Sequence, residues 1–183
     1  MIATFTALLL AHVCADFLFQ PDTMAAAKQR RAPSALALHG LIVLATASLA
    51  TLPSGAEAMI PLLALTAAHL AIDLVKTAFP ASHVGPFLAD QAAHALSLAA
   101  VAYAWPGLFH DGYLGPHSAV LPVMAVLAGF IVATRAGGYA IGLLVRPFGR
   151  AFRAEGLPVP QNLLKMEQAL DAQFRKDADG SGG

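Results

Sequence analysis

The sequence predicts an all-α, polytopic transmembrane helix bundle, and three observations carry that expectation. The 183 residues are 57% hydrophobic and only 12% charged, whereas soluble domains carry about a quarter charged residues. Mean hydropathy is +0.64, more apolar surface than so short a chain hides in a water-soluble core. The apolar residues also gather in runs of about 17–21, the length that crosses a bilayer as a helix. These runs are rich in Ala and Leu and lack the alternation of barrel strands, so each is expected to satisfy its own backbone as a helix.

About five spans are expected, at roughly 2–20, 34–52, 59–79, 87–105 and 118–134. The first carries His12, Cys14 and Asp16. A signal peptide would show a basic leader and a small-residue cleavage site, so a retained span is expected instead. Cys14, the single cysteine, cannot form an internal disulfide and is expected in the core. Gln20, followed by Pro21, either ends this span or joins its polar face, and Asp22 is expected as a cap or loop residue. The second span carries His39, the third His69, Asp73 and Lys76, and the fourth Asp90, Gln91 and His94. Trp105 stands where an interfacial anchor belongs. The segment Gly137–Phe148 is too short to cross alone. It either lies at the interface, with Arg146 and Arg150 reaching lipid phosphates, or extends the fifth span.

Residues 1–150 are thus expected to form the transmembrane domain, and 151–183 a cytoplasmic polar tail. In that tail Pro158 and Pro160 break any helix. Leu163, Met166, Leu170 and Phe174 then recur at helical spacing over Asn162–Arg175, and Asp177–Gly183 is expected to be disordered.

Charge placement predicts the orientation. Lys28, Arg30, Arg31, Lys76 and the basic residues from Arg135 to Lys176 all fall on one side of five spans. The N-terminus and the loops near 53–58 and 106–117 hold no Lys or Arg. The positive-inside rule then places the N-terminus outside and the C-terminus in the cytoplasm.

Ionisable residues inside apolar spans are costly and point to a functional site. Residues four apart share a helix face, so His12–Asp16, His69–Asp73 and Asp90–His94 each form a polar stripe, with His39 alone on the second span. Under the expected orientation all of them lie in the inner half of the bilayer. The segments from Ala11 to Leu18 and from Ala68 to Val75 share the form A-H-x-x-x-D followed by two apolar residues. A duplicated helical hairpin, with parallel repeats, accounts for this; chance similarity between Ala/Leu-rich segments is the alternative.

Imidazoles and carboxylates in this number suit one or two divalent ions, with Zn, Mn, Fe or Ni as candidates. His12, Asp16, His39, His69, Asp73, Asp90 and His94 are the candidate ligands. Asp16, Asp73 and Asp90 are also candidate bases, and Lys76 either stabilises a developing anion or simply snorkels to the interface. His83, His110 and His117 are expected on the surface.

The pattern L-L-x-A-H-x-x-x-D-F-x-x-Q-P at Leu9–Pro21 is followed by His39, then His69–Lys76 and Asp90–His94. With the Gly-Gly-x-x-Ile-Gly stretch at Gly137–Gly142, it resembles the bacterial integral membrane protein family of domain of unknown function 3307, over about the first 145 residues. The resemblance supports the motif positions and implies no reaction.

Three functions fit these residues: an intramembrane metal-dependent hydrolase of a lipid-linked substrate, a cation or proton transporter, and an accessory subunit whose polar residues lock helix packing. No phosphate-binding glycine loop, H-E-x-x-H helix or G-x-S-x-G elbow is present. The expected partners are the lipid bilayer and a homo-oligomer or membrane complex, with no nucleic acid, since the basic residues suit anionic headgroups.

Overall fold

The computed structural model describes residues 1–79 and 83–168. Among them α1 covers Ile2–Phe17, α2 Asp22–Gln29, α3 Pro33–Thr51, α4 Met59–Lys76, α5 Val84–Ala104, α6 Val120–Ile131 and α7 Gly137–Ala154. A further helical stretch covers 161–168, and the described residues include no strand.

Three segments are long and apolar enough to cross a membrane: Pro33–Thr51, Ala56–Lys76 and Val120–Ala154. A fourth arises if α1 and α2, bent by 89° at their junction, count as one broken span. α5 has the length, with 21 residues, and its Asp90, Gln91 and His94 are what lower its hydropathy. The all-α class is therefore as expected, while length and composition support three or four crossing helices rather than clearly five.

Proline placement sets several helix starts. Pro33 is the first residue of α3, and Pro61, Pro86 and Pro122 each stand third in α4, α5 and α6. The missing N–H costs nothing there, because first-turn N–H groups have no intrahelical partner. Pro21 has a different effect. Its extended backbone (φ −68, ψ 158) follows the end of α1 at Phe17 and redirects the chain into α2. The expected first span thus stops three residues early, and Asp22 opens a helix instead of lying in a loop. α2 packs on α3 and α4. There Arg31 Nε donates to Thr77 Oγ1 (2.8 Å) and Gln29 Nε2 to the Thr77 carbonyl (3.4 Å).

α1 is the centre of the bundle and packs against α3, α5 and α6. Its buried Ala3, Ala7, Ala11 and Ala15 let neighbouring backbones approach closely. A Cβ on Gly40 would stand 3.0 Å from Leu70 Cδ1, so α3 and α4 also cross closely, one residue beyond His39 and His69. The outward faces are apolar: Leu49 is 69% exposed, Leu96 71% and Val126 71%, while His39 is 0% and His94 1%. This inverts the arrangement of a water-soluble fold.

The end of the bundle away from α2 is closed by the loop after α5. Thr4 Oγ1 donates to the Pro106 carbonyl (2.8 Å), Tyr113 N donates to the Leu52 carbonyl (2.9 Å), and Phe109 is fully buried. α6 runs through a π turn at Val132–Ala136 straight into α7. The stretch 137–148 is therefore structurally continuous with the fifth apolar run. At 1.5 Å per residue the 35-residue segment Val120–Ala154 is about 52 Å long, well beyond a hydrocarbon core of about 30 Å. In the expected tail, residues 151–154 still belong to α7, and Arg153 pairs with Glu167 at 3.1 Å. The expected helix over 162–175 is described only to 168, and the expected disorder at 177–183 lies outside the described residues.

The closed end supplies a stability test. A Cβ on Gly112 would collide with the carbonyl oxygens of Thr51 and Leu52, whereas one on Gly129 in α6 would meet nothing within 4 Å. Gly112→Ala should cost about 1–3 kcal/mol. Gly129→Ala should be neutral or stabilising by up to about 1 kcal/mol, as expected for Gly to Ala within a helix. Thermal unfolding of the two variants in detergent checks the contrast.

Candidate metal centre

Five helices deliver polar side chains to one buried volume. α1 brings His12 and Asp16, α2 Lys28, α3 His39, α4 His69, Asp73 and Lys76, and α5 Asp90 and His94. The pairs on α1, α4 and α5 are i, i+4 neighbours, so each helix turn aligns an imidazole with a carboxylate. α1 and α4 contribute from their C-terminal halves, α3 and α5 from their N-terminal halves. Neighbouring helices run in opposite directions, which brings these halves to one level.

The closest grouping is formed by Asp16 Oδ1, His39 Nε2, His69 Nε2 and Asp73 Oδ2. His39 Nε2 lies 2.9 Å from His69 Nε2, 3.4 Å from Asp16 Oδ1 and 3.4 Å from Asp73 Oδ2. His69 Nε2 lies 3.3 Å from Asp16 Oδ1 and 3.6 Å from Asp73 Oδ2. Ligands held about 2.0–2.1 Å from a tetrahedral ion stand about 3.3 Å apart. The three separations among Asp16 Oδ1, His39 Nε2 and His69 Nε2 therefore match the spacing of a ligand set, with Asp73 Oδ2 beside the two imidazoles.

Hydrogen bonding among the residues themselves does not account for the convergence. Asp16 Oδ1 is buried with no hydrogen-bond partner among the described residues. The two Nε2 atoms share at most one proton, because two N–H groups would clash at 2.9 Å. The accepting ring points its Nε2 lone pair at that proton and has no proton of its own there for Asp16 Oδ1, a deficit that a cation would relieve. Three overlapping groups of side chains present ligand atoms within 4.8 Å of one another and can hold an ion: His12, Asp16 and His94; Asp16, His39 and His69; and His69, Asp73 and His94.

The carboxylates differ in their compensation. Lys28 Nζ lies 2.6 Å from Asp73 Oδ2, and Lys76 Nζ lies 2.6 Å from Asp90 Oδ2, which also accepts from Gln91 Nε2 (3.0 Å). Asp16 has no lysine among these contacts. Its surroundings are imidazoles.

The structure brings all seven sequence-derived candidate ligands together. Asp90 stands outside the three ion-holding groups, with its backbone carbonyl 3.0 Å from His94 Nδ1. Lys76 combines both expected behaviours: it pairs with Asp90, yet its side chain is 37% exposed. Gln20 lies beyond the end of α1 with Oε1 buried and without a hydrogen-bond partner among the described residues. Cys14 is a free thiol packed beside Val13, Ala128 and Ile131. His83, His110 and His117 are exposed.

Lys28 corrects the sequence-based expectation. Charge placement puts it between the first two spans among interfacial basic residues, but it is buried at the site. A lysine in a short amphipathic helix beside Arg30 and Arg31 gives no signal of burial; only the 89° turn carries it inward.

A family model described as "Protein of unknown function (DUF3307)" matches residues 4–116. That range contains every candidate ligand and both site lysines, and it leaves out the Gly-Gly-x-x-Ile-Gly stretch at Gly137–Gly142. No curated protein and no solved structure matches the chain.

The two lysines predict unequal losses. Removing one partner of a buried ion pair costs about 3–5 kcal/mol. Lys28→Met keeps the apolar stem and strands Asp73, so the chelator-treated variant should unfold at markedly lower temperature. Lys76→Met should lose less, because Lys76 is itself 37% exposed and Gln91 Nε2 still donates to the Asp90 oxygen at 3.0 Å. Paired thermal-unfolding curves in detergent check this, and equal losses would contradict the burial difference.

Proposed function

The chain belongs to the DUF3307 family, and from that premise we propose that it is an integral membrane protein built around a divalent-metal centre, acting as a metal-dependent hydrolase of a lipid-linked substrate. One observation carries the reading: the convergence of Asp16, His39 and His69 at the spacing of a ligand set, beside the Lys28-paired Asp73, with Asp16 lacking any lysine counter-charge in the contacts described. Two imidazoles with two carboxylates suit Zn, Mn, Fe or Ni.

A bound ion of this kind polarises an ester or phosphate oxygen and makes water a nucleophile near neutral pH. The chain's own residues would do the rest. His39 and His69 hold the ion, and Asp16 offsets its charge. Lys76, half-exposed at the α2 end, is placed to meet an anionic headgroup and can exchange Asp90 for it. Access from that end is supported by the closure of the opposite one by Phe109 and its loop.

The membrane reading draws support from the three long apolar segments and the apolar outer faces. The proposed orientation, N-terminus outside and C-terminus in the cytoplasm of a bacterial inner membrane, rests on the basic residues of 28–31 and 135–153. It places the metal centre near the cytoplasmic face. In a Cys14→Ala background, a cysteine at Ser54 should react with an impermeant maleimide in intact cells, and one at Glu155 only after lysis. The reverse pattern would overturn the orientation.

Elemental analysis tests the centre. Detergent-purified protein should carry Zn, Mn, Fe or Ni in whole-number ratio to chain, and His39→Ala and His69→Ala should each lose it. Hydrolysis of lipid-linked phosphate esters should fall by about 100-fold or more in either variant. A folded parent that takes up none of these metals after reconstitution would overturn the enzyme reading and favour polar residues that lock helix packing.

A further inference from the structure

We infer that the bundle holds a second divalent ion, between His12, Asp16 and His94, and that the Asp16 carboxylate is shared by both ions. The inference rests on the metal centre proposed at Asp16, His39, His69 and Asp73.

The tautomer of His94 is the first observation. His94 Nδ1 lies 3.0 Å from the Asp90 backbone oxygen. A carbonyl only accepts, so Nδ1 carries the proton and Nε2 of the neutral ring is a lone pair. That Nε2 is buried and has no hydrogen-bond partner among the described residues. An imidazole whose one nitrogen donates to a carbonyl while the other faces inward has the arrangement of a metal ligand.

The surroundings of that lone pair are the second observation. Ligand atoms of His12, Asp16 and His94 lie within 4.8 Å of one another. The His12 and His94 rings stack with centroids 4.8 Å apart and planes 24° apart. His12 Nδ1 is likewise buried without a hydrogen-bond partner among the described residues, 4.0 Å from Asp16 Oδ2. Asp16 Oδ1 thus faces His39 and His69 while Oδ2 faces His12, the disposition of a bridge. His94 also stands near His69 and Asp73, but those two already face His39 and Lys28. His12 has no such engagement in these contacts.

The internal repeat is the third. It equates His12 with His69 and Asp16 with Asp73, and a looser alignment of Leu36–Leu41 with Gln91–Leu96 equates His39 with His94. The His39–His69 pair therefore corresponds to the His94–His12 pair, and ring centroids are 5.0 Å apart in one and 4.8 Å in the other. A hairpin that places one such pair around a cation places its duplicate around another. His12, Asp16 and His94 would hold the second ion beside the first, and such a pair would supply a clamp on the attacking and leaving oxygens of a lipid-linked phosphate ester.

The test is a metal titration of chelator-stripped, full-length protein in detergent, with Zn(II) for stoichiometry and Mn(II) for electron paramagnetic resonance. The parent should bind two ions per chain, and its Mn(II) signal should be broadened by coupling between neighbouring ions. His94→Gln should bind one, with the six-line signal of an isolated ion. One ion per chain in the parent, uncoupled and unaffected by His94→Gln, would overturn the second site and leave the first standing. No ion in the parent would overturn both. If His94→Gln fails to fold, the stoichiometry and coupling of the parent decide alone.

Discussion

The Asp16 carboxylate is the constraint on which the rest of the structure depends. A charged carboxylate in an apolar bundle is costly unless paired and hydrogen-bonded. Asp73 and Asp90 each have a lysine at 2.6 Å, but Asp16 Oδ1 has two imidazole nitrogens at 3.3 and 3.4 Å and no hydrogen bond among the described residues. Every feature nearby serves to surround it. The alanines of α1 let three helices close around the one that carries it, and Gly40 lets α3 and α4 cross beside His39 and His69. Packing and electrostatics are therefore one problem here: the helices that bury Asp16 are those that supply its neighbours.

The two ends of the bundle have different tasks. At one end Thr4, Phe109, Gly112 and Tyr113 tie the loop after α5 to the start of α1 and the end of α3. At the other, the chain turns by 89° at Pro21 so that α2 lies against α3 and α4 and sends Lys28 inward. The lysines at this end neutralise two of three carboxylates. Such a balance leaves one formal negative charge among four imidazoles. The continuous α6–α7 segment passes the same level, where Val13 packs on Ala128 and Ile131. Its π turn at Val132–Ala136 follows directly, and such turns recur at functional sites.

Several features were legible in the sequence because they are local or periodic. Apolar run length and composition determined the helical class. The i, i+4 spacing of His12–Asp16, His69–Asp73 and Asp90–His94 determined which residues share a face, since a helix turn places them together whatever surrounds it. His39, which has no partner on its own helix, was grouped with the others by its depth near the start of its apolar run. What only the tertiary structure decided depends on direction and on distant neighbours. The turn at Pro21 made a helix of 22–29 and a site residue of Lys28, and no local pattern encodes which way a chain leaves a proline. The lone pair of His94 and the differing directions of the two Asp16 oxygens depend on rotamers set by packing across four helices. The number of crossing helices was also not readable from run length alone. The site residues make α5 less apolar than its neighbours, and α1, at 16 residues, needs its bend into α2 to approach the length of a span.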